Sequence, residues 1–374
     1  MRDTRINDLA KLLVNYSTSL QKGEHILIEA FDIPEEMVLA VIEHVRHAGG
    51  HPHVALRSNR VNRALIEGAG EGQLEAWAND DLTRMKHMDA YLGIRGSDNV
   101  SEMAAVHPKA VQAFGKTYAK PVHHGESVNN TKWCVLRWPS PSMAQLAGMS
   151  TPEFEDFYFR VCTLDYAKME TAAQALANRM ANVDRVSIQG PDATDLTFSI
   201  KDIPKIACCG DKNIPDGEVF TAPVRDSING VLEYNTPTIY NGISFENVRF
   251  KFVNGRIEEA TSGSGNDEEL NKILDTDNGA RFIGEFAIGF NPHILEPMKD
   301  ILFDEKIAGS FHFTPGQAYE EASNSNDSEI HWDLVCIQRP EYGGGTIAFD
   351  GEVVRKDGVF VVEDLLPLNP ENLS

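Results

Sequence analysis

The sequence predicts an α/β protein of two domains: an open, largely parallel α/β sheet in residues 1–184, then a strand-rich α+β domain in residues 185–374. Three observations lead there. Strand and helix patterns alternate through the first half, whereas the second is filled with short alternating segments separated by Gly, Asn, Asp and Pro. At 374 residues the chain also exceeds what one hydrophobic core usually organises.

Residues 5–16 place Ile6, Leu9, Leu12 and Leu13 at helical spacing, and Gly23 breaks the chain before an apolar run at 25–28. Residues 34–48 (PEEMVLAVIEHVRHA) open with proline and two acids, suited to a helix N-terminus, and stop at Gly49-Gly50. A strand at 53–56, helices at 59–68 and 72–84 and a strand at 90–94 follow. Repeated strand, helix, strand units are the pattern of an open sheet covered by helices. No glycine-rich phosphate fingerprint follows any of these strands, so no nucleotide is implied.

Residues 151–182 read as one long helix opening with a Thr cap, Pro152 and acids. Composition then changes, which places the domain boundary near 184. The segments VSIQG, LTFSI, VLEYN, VRFKF, RIEEAT and GVFVVE follow, and FKFVNGRIEEA, with Asn254-Gly255 at its centre, is the strongest hairpin signal. The polar stretch SNSNDSE at 323–329 reads as a loop.

A hydrophobic fraction of 42% and a charged fraction of 24% are ordinary for a globular chain. No apolar run reaches the ~18 residues that a membrane helix needs. The N-terminus MRDTRINDLAKLL is charged throughout and lacks an apolar signal region, so a cytoplasmic protein is expected. Five cysteines, Cys134, Cys162, Cys208, Cys209 and Cys336, have no CxxC spacing and read as reduced, mostly buried thiols. The net charge of −22 repels phosphates and anionic lipids, so neither nucleic acid nor a membrane surface is an expected partner.

Candidate chemistry gathers in four segments of the second half: NIPDGEVFTAP (213–223), IGEFAIGFN (283–291), AGSFHFTPGQAY (308–319) and SEIHWD (328–333). They supply Glu218, Glu285, His312, His331 and Asp333, the imidazole nitrogens and carboxylate oxygens that a divalent ion such as zinc takes. His331 and Asp333 are two apart, so an extended chain turns both to one face and Trp332 to the other. A single catalytic zinc usually needs three protein ligands, so five or six candidates suggest two ions sharing a carboxylate. Tyr319 could complete a coordination sphere or donate to a tetrahedral oxyanion.

These segments, with LDTDNGAR (274–281), LFDEKIAGSFH (302–312) and GGTIAFDGEVVRKDGVF (344–360), resemble the signature blocks of the aminopeptidase T family, the M29 metallopeptidases. In the first half only the layout of strands and helices is similar. The resemblance implies a dinuclear aminopeptidase with two divalent ions (zinc, cobalt or manganese), short peptide substrates and a homodimer. It assigns Glu218, Glu285, His312, Tyr319, His331 and Asp333 to the metal site, with Glu285 and Tyr319 as catalytic residues. Glu305 stands beside the site as a further ligand or supporting acid. The chain is shorter than typical members, and Thr314-Pro315 replaces the small apolar residues expected after SFH.

The alternative comes from ring-cleaving dioxygenases of pyridine breakdown, to which this family bears a distant resemblance; that resemblance implies one iron held by two His and one carboxylate, here His312, His331 and Asp333. Two further acids, Glu218 and Glu285, favour two metals and hydrolysis. His51, His53, His123 and His124 lie in the half without signature blocks and read as packing or surface residues. Ser199 and Ser310 have no nucleophile-elbow context, so a serine hydrolase is not expected.

Overall fold

A computed structural model describes residues 3–240 and 242–374. The chain forms two compact units, one running to Thr163 and including Gly210–Ile214, the other comprising Leu164–Cys209 and Pro215–Ser374.

The first unit is built on a five-stranded sheet in the order His51–Arg57, His25–Phe31, Ala90–Arg95, Lys132–Arg137, Asn213–Ile214. Every pairing in it is parallel. The central strands are buried on both faces, which is why His25–Phe31 and Ala90–Arg95 read as apolar runs and not as alternations. Lys132–Arg137 was not expected from the sequence. It is half-buried and follows a segment in which the helix Pro108–Phe114 continues as a wide π-helical stretch, Gly115–Ser127, containing Pro121. The last strand, Asn213–Ile214, arrives from the second half of the chain and pairs with Val135 and Leu136.

One long helix was expected over 151–182; two form, Thr151–Cys162 and Tyr166–Met180. Ser150, not Thr151, caps the first, in a reciprocal capping box with Glu153, and Asp165 caps the second by accepting from Lys168 N. A cap at Asp165 starts a new helix, which ends the old one. The two compact units divide in this break, before Tyr166–Met180, whereas the composition changes only after it. That helix packs against Ile206–Cys208 and Glu218–Thr221 of the second unit.

The second unit holds an eight-stranded sheet and a five-stranded antiparallel sheet in the order Val335–Ile337, Ser310–Pro315, Ile283–Gly289, Glu218–Thr221, Ile206–Cys208. The expected hairpin is present as Arg249–Val253 and Arg256–Thr261, with Asn254 at φ 47° and Gly255 at φ 84°. Two positive φ values suit the Asn-Gly pair of a tight hairpin turn.

Side-chain alternation divides the five-stranded sheet into two chemistries. Phe286 and Phe313 point to one side and meet Phe198 of the larger sheet, each at a centroid distance of 5.0 Å. Glu285, Ala287, His312 and Thr314 therefore turn to the other side. The aromatic side anchors the sheet in the core, and the polar side carries the candidate site. Among the described residues no helix is long and apolar enough to cross a membrane.

Candidate metal centre

Antiparallel register assembles the site. Ala287 faces His312 on one neighbouring strand and Phe220 on the other, while Gly289 faces Glu218. Glu218, Glu285 and His312 thus come from three adjacent strands and share one face. Ile283–Gly289 carries a bulge between Ile283 and Glu285. A side chain at Gly284 could not be accommodated, since its Cβ would lie 2.3 Å from the Gln317 carbonyl oxygen. His331 enters through an isolated bridge to Gly316, followed by Asp333. Trp332 points away, as the two-residue spacing requires, and packs on Tyr240 and Phe245 at 4.7 and 5.1 Å.

Glu285 is the hub. Its Oε1 lies 3.1 Å from His312 Nε2 and its Oε2 lies 3.4 Å from His331 Nε2. His331 Nε2 is also 3.2 Å from Asp333 Oδ1, and His312 Nδ1 is 3.6 Å from Glu218 Oε2. Ligand atoms within 4.8 Å of one another occur in the sets Glu218/Glu285/His312 and Glu285/His331/Asp333, so Glu285 belongs to both. Glu305 forms a further set with His312 and Asp333.

The donor set suits cations. Glu218 Oε2 and His312 Nδ1 are buried and have no hydrogen-bond partner. Such orphaned atoms are costly unless something bonds them, and a divalent ion would. His331 Nδ1 donates to the Gln317 carbonyl at 2.8 Å, which fixes the ring and turns Nε2 to the acids. Thr314 is buried and donates to Asp333 Oδ1 at 2.7 Å.

Titration follows from this crowding. Burial alone would discharge His312, but the charges of Glu218 and Glu285 outweigh it and push its pKa up to about 9. His331 rises to about 12 because Asp333 and Glu285 override burial in the same way. Burial raises Glu218 to about 7, against the pull of Lys306. Glu285 and Asp333 resist burial and fall below their usual values, held down chiefly by the two imidazoles. Without metal, this pocket keeps protons where metal ions would sit.

Tyr319 follows Gly316 and Gln317 on the way to His331 and packs against that ring at a tilt of 51°, with centroids 4.7 Å apart. Half of its surface is exposed (50%), yet burial of its phenol, reinforced by Glu285, Asp333 and Glu305, holds the group well above its usual pKa. The hydroxyl stays protonated. All six sequence-predicted site residues lie in this one unit and, with Glu305, come together.

Sequence reasoning missed Lys306 and Asp216. Lys306 is 1% exposed and donates to Glu218 Oε1 at 2.5 Å and to Glu305 Oε1 at 2.7 Å; Asp216 Oδ1 lies 3.5 Å away. The only signal was two charged residues, Glu305 and Lys306, just before the fully buried strand Ser310–Pro315. The histidines set aside belong to the first unit. His51 and His53 lie on the edge strand of the first unit, where His53 Nε2 meets His25 Nδ1 at 2.9 Å, and His123 packs on Tyr91 and Tyr118. None of the five cysteines is in a disulfide.

A strand-built pocket of two imidazoles and clustered carboxylates is a metal-hydrolase type of site, and the comparisons agree. The family described as thermophilic metalloprotease (M29) matches residues 2–360, and the chain belongs to that family. Aminopeptidase T of Thermus aquaticus is 27% identical, the alignment covering 88% of this chain and 91% of that protein. Wild-type AmpT from Thermus thermophilus superimposes with a TM-score of 0.80 at 23% identity, covering 96% of this chain and 99% of that one. The fold is also similar to 2,5-dihydroxypyridine dioxygenase from Pseudomonas putida KT2440, with a TM-score of 0.62 at 13% identity over 96% of this chain and 98% of that one.

Proposed function

We propose that the chain is a metal-dependent aminopeptidase that removes N-terminal residues from short peptides, using two divalent ions. The observation behind this reading is the sharing of Glu285 between two ligand sets. Glu218, Glu285 and His312 would hold one ion, and Glu285, His331 and Asp333 the other. Charge supports the count. Asp216, Glu218, Glu285, Glu305 and Asp333 bring five carboxylates and Lys306 one ammonium, leaving four negative charges that two divalent ions would balance. A single ion would leave two uncompensated in a mostly buried site, at high desolvation cost.

Bound divalent ions would polarise the scissile carbonyl and lower the pKa of a water. The chain's own residues supply the rest. Gln317 and Thr314 hold His331 and Asp333 in position. The protonated Tyr319 hydroxyl would donate to the oxyanion that develops on the carbonyl. A carboxylate of the cluster would take the substrate's free ammonium group and so confine cleavage to the N-terminus.

A mononuclear iron site is the weaker reading, because His312 and His331 fall in different ligand sets. The test is elemental analysis of the purified protein together with amino acid release from di- to pentapeptides. Two ions per chain with cleavage is expected; one iron with oxygen uptake would replace this reading. A homodimer enclosing the site is part of the proposal, as the family resemblance implies, and a stable monomer in sedimentation would remove it.

A further inference from the structure

A fourth group of potential ligands, Cys208, Asp216 and Glu218, brings its ligand atoms within 4.8 Å of one another at the outer edge of the five-stranded sheet. Cys208 faces Glu218 across the antiparallel pair of Ile206–Cys208 and Glu218–Thr221. The three residues form a soft-plus-hard donor set that a borderline ion such as zinc or cobalt accepts. Lys306 stands against the same two acids, with Nζ 2.5 Å from Glu218 Oε1 and 3.5 Å from Asp216 Oδ1. The remaining strong contact of the ammonium is Glu305, at 2.7 Å.

Resting on the two-metal reading of the site, we propose that Lys306 is a built-in third cation: its ammonium takes the position beside Cys208, Asp216 and Glu218 that an ion would otherwise fill, limiting the centre to two ions. Two observations point this way. The ammonium is nearly fully buried among acids, which is tolerable only for a charge that its surroundings require. It also binds only one oxygen of Glu218, so that Oε2, which has no partner, is left facing His312. Lys306 thus positions Glu218 as a one-oxygen ligand and closes the route by which both of its oxygens could go to surplus metal.

The test is a cobalt titration of the metal-stripped, full-length protein, with the bound metal counted by elemental analysis and the absorption spectrum recorded. The natural chain is expected to take two Co(II) with no sulfur-to-cobalt charge-transfer band. Lys306→Met should take one more and show that band, and adding Cys208→Ser should abolish both gains. A Lys306→Met protein that binds no extra cobalt, or binds it without the band, overturns the proposal. Cys208→Ser alone guards against a Lys306 variant that fails to fold. It should keep the natural cobalt count and spectrum, and loss of an ion would mean that Cys208 already ligates beside Lys306, which also overturns the proposal. Fewer than two cobalt ions on the natural chain would instead defeat the underlying two-metal reading.

Discussion

Glu285 and His312 meet on the diagonal of an antiparallel pair: the residue opposite His312 is Ala287, and Glu285, two positions earlier, places Oε1 3.1 Å from the imidazole Nε2. The bulge lies just before Glu285, and from Glu285, opposite Thr314, to Ala287, opposite His312, the register runs unbroken. Glu285→Gln replaces an anion with a neutral amide at the one residue common to both ligand sets. Peptide hydrolysis and metal affinity should each fall at least about a hundredfold, since disturbing even an outer partner of a ligand costs 10–100-fold. Circular dichroism should be unchanged, because the side-chain volume is kept. Turnover like that of the natural chain would remove Glu285 from the centre.

Proton release should accompany metal binding. In the metal-free protein His312 and His331 have pKa values of about 9 and about 12, above the 6.5 of an ordinary imidazole. A raised value means stabilisation that is complete below pH 6.5 and lost as the pH climbs through the folded values. The metal-free protein should therefore lose stability from pH 6.5 to 9.5. Over the same range the metal-bound protein should gain on it, since two imidazolium protons must leave. Apparent affinity should rise by up to about a hundredfold per pH unit, tenfold for each proton. Calorimetric melting with and without cobalt at pH 6.5 and 9 checks this, and an equal metal-induced shift at both would contradict it.

Thr314 donates to the same Asp333 oxygen that faces His331. Thr314→Val keeps the shape and removes the donor, so metal affinity should drop by about tenfold or more. Thr314→Ser should restore most of it. Equal affinities for the two variants would show that the hydroxyl does not orient Asp333.

In the first unit, Arg57 joins Glu29 at 3.0 Å and Asp81 at 2.7 Å. Tyr91 completes the shell of Glu29, while Tyr118 and Trp77 donate to Asp81. Arg57→Met would leave two mostly buried carboxylates without their cation, a change that costs about 3–5 kcal/mol. Arg57→Lys should recover only part, because Arg57 meets Glu29 and Asp81 with two different nitrogens of its planar fork, which a single ammonium does not reproduce. Urea denaturation of the three proteins decides it, and a loss under about 1 kcal/mol for Arg57→Met would refute the account.

Much of the site was legible because it follows from short-range rules. The pair His331 and Asp333 shares a face, with Trp332 turned away, as extended backbone dictates. Asn254-Gly255 makes its hairpin for equally local reasons. The strands of the first sheet were visible where the chain is continuously apolar, and Lys132–Arg137, with charged residues at both ends, was not. The break at Asp165 was hidden because the residues on both sides favour helix, so that only the cap ended the first.

By itself, then, the sequence determined the chemical types of the candidate ligands, their local facing and the class of both halves, since backbone geometry and side-chain periodicity act over a few residues. Tertiary structure alone decided that Glu285 would serve two ligand sets and that Lys306 would be buried against Glu218, 88 positions away. A lysine in a sequence defaults to solvent, because an ammonium pays heavily to leave water. Only closure of the chain, which brings carboxylates from distant segments around it, reverses that preference.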